Sequence, residues 1–152
     1  MGMLFAQLSE KSFCGIAFAI VLIISILSRN GLWCDRYHHL LIWVNNAYRP
    51  KSVYITENGA GLHENWDGRN GTVADPRRVD YLKRHVRAAW EAKESGVPLD
   101  GYFCWSFLDN FEWGYGYAKR FGMVYIDYPT KKRIPKESYS LWRDYATGKL
   151  KP

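Results

Sequence analysis

The sequence predicts an α/β fold with parallel strands, and three stretches carry that prediction. Val53-Tyr54-Ile55-Thr56 is β-branched or aromatic at every position, short and mostly apolar, as in a parallel strand buried on both faces. Between Pro76 and Gly96 the apolar residues recur at helical spacing. Tyr102 to Phe107 is a second, aromatic strand. Strand, helix and strand at this spacing form one right-handed crossover unit.

The chain has 152 residues, enough for one ordinary domain. Hydrophobic residues make up 47%, which supplies ample material for a core. The net charge is +6, but basic and acidic residues are interleaved and the longest basic run is Lys131-Lys132-Arg133. That pattern describes a solvated surface rather than a nucleic-acid site. The cysteines are Cys14, Cys34 and Cys104, an odd number without a Cys-x-x-Cys pair. The pattern argues against both a disulfide framework and a zinc site. Cys104 lies within the aromatic strand and reads as a small buried hydrophobe. His38-His39 is the one His pair, and adjacent side chains diverge, so no metal site is expected; no cofactor is implied either.

Taken in order, the chain begins with a segment, residues 1–38, that is set apart from the rest by composition. Its uncharged run Phe13–Leu27 is 15 residues long, short of the roughly 18–20 needed to cross a bilayer. The length suits the apolar region of a signal peptide, with Lys11 before it, although no small-x-small cleavage site follows Leu27. Three readings stand side by side: a membrane anchor or uncleaved signal-like helix, a buried helix or strand, and a segment joined to a truncated chain. Residues 28–36 read as a connector. Leu40, Leu41, Val44 and Ala47 then recur at helical spacing until Arg49-Pro50 ends that helix.

The strand of Val53 meets Glu57 and stops at Asn58-Gly59. A carboxylate at the carboxyl end of a parallel strand is where barrel enzymes place catalytic groups. Asn-Gly is also a hairpin signal, and from this stretch alone both readings stand. Gly59 to Ala74 is a polar, Gly-rich loop of the kind that carries function. It includes the sequon Asn70-Gly71-Thr72, meaningful only in a secretory lumen. Asp75 is the expected N-cap and Pro76 the first residue of the next helix. Val79, Leu82, Val86, Ala89 and Trp90 form its expected apolar stripe. Arg78, Lys83, Arg87 and Glu91 are assigned to its solvated face. Gly96 closes it and Pro98 prevents its resumption. A Gly-, Tyr- and Trp-rich loop spans Phe111–Phe121, a further parallel strand is expected over 123–127, and Pro135 opens a last helix to about Ala146.

Residues 101–113 read Gly-Tyr-Phe-Cys-Trp-Ser-Phe-Leu-Asp-Asn-Phe-Glu-Trp. Together with Ile55-Thr56-Glu57-Asn58-Gly59, Gly116-Tyr117 and Arg120-Phe121-Gly122, this stretch resembles family 1 glycoside hydrolases, the β-glucosidase group. The resemblance covers about residue 40 to the C-terminus. It implies a (β/α)₈ TIM barrel, here a partial one holding the last two to three βα units, with 39–152 as the barrel part. It also implies retaining hydrolysis of β-glucosides, with a carbohydrate as partner. Glu57 takes the role of nucleophile by that resemblance, and Trp105, Glu112, Trp113 and Phe121 bind substrate. A carboxylate accepts hydrogen bonds from neighbouring sugar hydroxyls, and an indole offers both an N–H donor and a stacking face. Asp109 and Asn110 are expected to fix the loop through local hydrogen bonds.

Retaining chemistry needs two carboxyl groups about 5–5.5 Å apart. The family places its acid/base in an Asn-Glu-Pro motif, and that motif does not occur in these 152 residues. The implied enzyme is therefore expected to be weak or inactive as an isolated chain. The alternatives are a sugar-binding remnant, a fragment that completes a barrel, and a truncated product. The resemblance implies a cytoplasmic location, whereas an anchor or signal at 13–27 implies membrane association or secretion.

Overall fold

The computed structural model describes residues 18–25 and 33–152. The elements are β1 (Phe18–Ser25), α1 (Trp33–Tyr48), β2 (Ser52–Ala60), α2 (Pro76–Glu94), β3 (Leu99–Cys104), β4 (Val124–Asp127), β5 (Lys132–Pro135) and α3 (Glu137–Ala146). The strands β1, β2 and β3 form one parallel sheet in that order, with β2 central.

Val53 and Ile55 of β2 point to one face of this sheet and are fully buried. Tyr37 and Leu41 of α1, Ala88, Ala89 and Ala92 of α2, and Val97 and Leu99 complete that core. The alanines let α2 lie close to the strands. Trp142 of α3 meets Tyr102 of β3 with ring centroids 5.5 Å apart, and Tyr102 packs on the same core. All three helices thus cover one face. A doubly wound sheet would carry helices on both faces, whereas the wall of a barrel carries them on the outside. The architecture is consistent with part of a barrel.

The expected strand at 123–127 exists as β4, but it is not parallel to its partner. It pairs antiparallel with β5 in a separate two-stranded sheet, with Tyr125 opposite Ile134. Only residues 128–131 link the two strands, and a link that short cannot make a parallel crossover. Lys131 turns the chain with φ 61°. Val73, Tyr125 and Ile134 form a small second core beneath Trp66.

The described part of the apolar N-terminal run, Phe18–Ser25, is a strand paired parallel to β2, with Phe18 opposite Ser52 and Ser25 opposite Ala60. Of the three readings of this run, a signal-like helix is not what these eight residues adopt. Ile20, Val21, Ile23 and Ile24 are β-branched and suit an extended chain. The rest of residues 1–38 up to Leu32, including Lys11 and the ends of the run, lies outside the described residues. Among the described residues, no helix is long and apolar enough to cross a membrane. The connector expected at 28–36 gives way to helix at Trp33, seven residues before Leu40, the first residue of the helical spacing.

The buried face of α2 also differs from the expected stripe. It consists of Arg78, Leu82, His85, Ala88, Ala89 and Ala92, while Trp90 is exposed. Arg78, assigned to the solvated face, is 1% exposed because its charge is met entirely inside the protein. Its Nε donates to Asp75 at 3.0 Å, and one Nη pairs with Glu64. Glu64 in turn pairs with Lys136, which reaches Asp109 at 3.0 Å, and Asp109 pairs with Arg120 at 2.7 Å. Asp75 does not cap α2 with its side chain. Its carboxylate accepts from the Ser138 backbone N–H at 2.9 Å and from the Ser138 hydroxyl at 2.5 Å, and so closes the first turn of α3 instead. Burial raises the Asp75 pKa, against the opposing effect of those hydrogen bonds and of Arg78. Burial and the neighbouring Arg78 lower that of Lys136, against the opposing pull of Asp109 and Glu64. Lys136→Met leaves Glu64 and Asp109 buried without this partner, and is expected to cost about 3–5 kcal/mol in urea denaturation.

His85 is buried against Tyr81, with ring centroids 3.8 Å apart, and burial lowers its pKa from the ordinary 6.5. The unfolded chain then binds the proton more tightly than the folded one. Stability is accordingly full above about pH 6.5 and falls as the pH drops towards the folded value. Thermal melts from pH 7.5 down to 5 are expected to show this loss in the native chain and a shallower one in His85→Gln.

Candidate active site

Glu57 sits near the carboxyl end of β2, half-buried. The strand is irregular at this point against both neighbours. On the β3 side, Ile55 faces Tyr102 and Asn58 faces Cys104, so β2 spends one more residue than β3. On the β1 side, Ile20 faces Tyr54 and Leu22 faces Glu57, again with the extra residue on β2. Such a bulge re-aims the side chains around it.

The bulge is held from β3. The Tyr102 hydroxyl donates to Asn58 Oδ1 at 2.5 Å, and the Trp105 backbone N–H donates to the Asn58 carbonyl at 2.9 Å. Asn58 is fully buried. Gly59 follows, and a Cβ there would stand 1.7 Å from the Trp105 carbonyl oxygen. Only glycine allows the two strand ends to approach this closely.

Trp105 is half-buried and precedes a cis peptide to Ser106. Its Nε1–H donates to Glu112 Oε2 over 3.4 Å, a long hydrogen bond. Glu112 is 7% exposed, and its backbone N–H donates to the Gly116 carbonyl at 2.7 Å, which closes a tight turn. Trp113 lies in that turn with φ 36° and is 86% exposed. A bulky residue at positive φ is strained, and the described residues leave most of this indole uncovered.

The structure thus connects Glu57 to Trp105 through Asn58 and Gly59, and Trp105 to Glu112. Phe121 does not join them on an open face. It is 2% exposed, and its ring is packed so tightly over Gly61 that a Cβ there would come within 2.7 Å. Among the described residues Phe121 is therefore a buried packing residue. Asn110 bonds locally as expected, donating to Ser106 Oγ and the Leu108 carbonyl. Asp109 fixes the loop over a longer range, accepting from the Gly122 N–H at 2.9 Å and pairing with Arg120 and Lys136. Burial pushes the Cys104 thiol up to about 12, which removes it as a nucleophile. Among the described residues, no group of three or more His, Cys, Asp or Glu is placed to hold a metal ion. An open cleft lined by Asn45, Asn46, Arg49, Pro50, Gly96 and Pro98 lies at the amino ends of β2 and β3, opposite Glu57.

The sequence reading did not single out Asn58, Tyr102, Arg78 and Lys136 for these roles. One signal was available for Arg78. Positions 78, 82, 85, 89 and 92 are spaced four, three, four and three apart, a helical stripe with Arg78 at its head.

A parallel sheet with its helices on one face, bearing a carboxylate near a strand's carboxyl end and a second carboxylate bonded to an indole N–H, is consistent with a barrel-type α/β protein. The sequence model of Glycosyl hydrolase family 1 matches residues 32–150, and the chain belongs to that family. It is 57% identical over 95 residues to Beta-glucosidase A of Thermotoga maritima, which covers 62% of this chain and 21% of that protein. It is 41% identical over 113 residues to a 6-phospho-beta-galactosidase of Staphylococcus haemolyticus, covering 74% of this chain and 24% of the other. Among solved structures, the family 1 β-glucosidase from Thermotoga maritima matches with a TM-score of 0.74 and 47% identity, over 78% of this chain and 27% of that one. The same enzyme solved with isofagomine lactam matches equally, at 46% identity. The chain therefore spans between a fifth and a third of the lengths of these relatives.

Gly59→Ala is expected to destabilise the chain by about 1–3 kcal/mol through overpacking against Trp105. Gly114→Ala, where a Cβ meets open space, serves as the near-neutral control in the same denaturation experiment.

Proposed function

We propose that this chain carries the nucleophile side of a retaining β-glycosidase site that acts on β-glucosides. The described strands and helices correspond to the last two to three βα units of a (β/α)₈ barrel. Glu57 is the nucleophile: its carboxylate attacks the anomeric carbon as the glycosidic C–O bond breaks, the aglycone leaves with the electron pair on its oxygen and takes up a proton from the acid/base group, and the glycosyl ester formed is later hydrolysed by water. Glu112 accepts hydrogen bonds from hydroxyls of the sugar, with Trp105 as its stacking floor and Trp113 as a donor at the rim. The single observation that carries this reading is the bulge that sets Glu57 at the end of β2, directly braced by the strand that leads to Trp105 and Glu112. The exposed and strained Trp113 supports it, because a strained turn that presents an unpacked indole suits ligand contact. The names of the relatives supply the substrate class.

The acid/base carboxylate is not part of this reading of the chain, since the Asn-Glu-Pro motif is absent from its sequence. General acid catalysis contributes about 10²–10⁴-fold, so turnover by the chain alone is expected to be weak or nil. The test is co-expression with a polypeptide carrying the remaining barrel strands, assayed on an aryl β-glucoside. Activity that appears in the pair and is lost in Glu57→Gln supports the assignment. Activity that survives Glu57→Gln removes Glu57 as nucleophile.

A further inference from the structure

We infer that Arg78 is a positioning residue for this site, and that its guanidinium locks the Glu57 strand end to the closing segment of the Glu112 loop. The inference rests on the assignment of Glu57 and Glu112 proposed above. Arg78 has five N–H donors, and all of them are engaged. Nε donates to Asp75 at 3.0 Å. One Nη donates to the Ala60 carbonyl and to the Phe121 carbonyl at 3.2 Å. The other donates to Glu64 and to the Arg120 carbonyl at 2.9 Å.

Two of these carbonyls matter most. Ala60 is the last residue of β2, three after Glu57. Phe121 is where the Glu112 loop returns to β3, because its carbonyl also accepts the Ser106 backbone N–H at 3.1 Å. One planar group therefore joins the two segments that hold the two carboxylates. A lysine cannot replace it, because an ammonium on a flexible stem has three donors and no fixed fork. Glu64 and Asp75 balance the charge and aim the guanidinium, and the 1% exposure of Arg78 keeps water from competing for the carbonyls. Arg78 touches neither Glu57 nor Glu112 in any of these bonds, so it acts through the backbone.

Hydrogen exchange of the full chain, read by mass spectrometry, tests this without any need for turnover. A failure of the glycosidase reading therefore leaves the result intact. In Arg78→Met, amides in 58–62 and in 105–122 are expected to exchange about tenfold faster or more, with those of α1 and the β4–β5 hairpin little changed. Arg78→Lys restores only part of this protection. Leu82→Ala, a buried neighbour on α2 that touches none of these carbonyls through a polar group, is the control for lost stability alone. The ¹³C carboxyl resonance of Glu57 supplies a spectroscopic signature: it moves in Arg78→Met, returns part-way in Arg78→Lys, and stays in place in Leu82→Ala. Native exchange rates in both segments of Arg78→Met overturn the assignment, as does the same local opening in Leu82→Ala. Should the methionine variant not fold, Arg78→Lys against Leu82→Ala makes the same comparison, and an absence of selective opening in the lysine variant overturns it.

Discussion

Six buried or nearly buried charges hold this molecule's loops to its sheet. Arg78, Lys136 and Arg120 face Glu64, Asp75 and Asp109 in one connected chain of ion pairs. The signs balance, three against three, so the interior carries no net charge from this cluster. Desolvating such groups is costly, and their mutual attraction offsets that cost only with good geometry and complete hydrogen bonding. Both conditions are met here: backbone carbonyls absorb the remaining guanidinium donors of Arg78, and the Gly122 N–H donates to Asp109. The members come from four separate places: the loop after β2, the start of α2, the loop after β3 and the residue before α3. An apolar cluster could fill the same space, but it would not fix the direction of each segment. Directional pairs fix the segments in register, which is what a site assembled from loops requires.

The parts of the fold that were legible in the sequence are those governed by local chemistry. Val53 to Thr56 reads as a strand because β-branched and aromatic residues suit a buried, pleated chain, and Pro76 and Gly96 bracket α2 because each fixes a backbone angle. The parts that were not legible depend on partners distant in sequence. Arg78 reads as a surface residue on a helical wheel because a wheel knows only polarity. Its burial is decided by Glu64, 14 residues earlier, and by the Phe121 carbonyl, 43 residues later. Asp75 stands at the N-cap position of α2 as the sequence predicts, but its carboxylate bonds α3 rather than α2 because Ser138 arrives beside it. The antiparallel pairing of β4 was in principle readable from the short link to Lys132, but Lys132-Arg133-Ile134-Pro135 has little strand character by composition. Phe18–Ser25 is ambiguous from first principles, since an apolar run suits a helix, a strand or a membrane, and the free edge of β2 is what gives it a register.

The site was legible to a different degree. The residues proposed to carry its chemistry, Glu57, Trp105, Glu112 and Trp113, stand in motifs that can be read without coordinates. What aims them cannot be read that way. The bulge in β2 arises because two neighbours each spend one residue fewer over the same span. The Tyr102–Asn58 bond on the helix-covered side of the sheet then keeps it from slipping. Phe121 sits within a motif of the same kind, yet its ring serves the packing of Gly61. Membership of a motif thus fixes where a residue lies along the chain and leaves open which way its side chain is used.

The arrangement also bears on the role proposed for Glu112. A general acid must hold a proton and deliver it to the glycosidic oxygen, across the sugar from the nucleophile. Glu112 Oε2 accepts from the Trp105 indole N–H, which can only donate, so this oxygen offers it a lone pair. The loop that carries Glu112 follows β3, and at Trp105 its backbone is tied to Asn58 and packed against Gly59. A carboxylate held there suits acceptance of hydrogen bonds from sugar hydroxyls. On the proposed function the proton donor is a different carboxyl group, and the Asn-Glu-Pro motif does not occur in the sequence. On the proposed function, the residues of this chain supply attack and binding of the sugar ring, and the proton for the departing aglycone falls to a second carboxyl group.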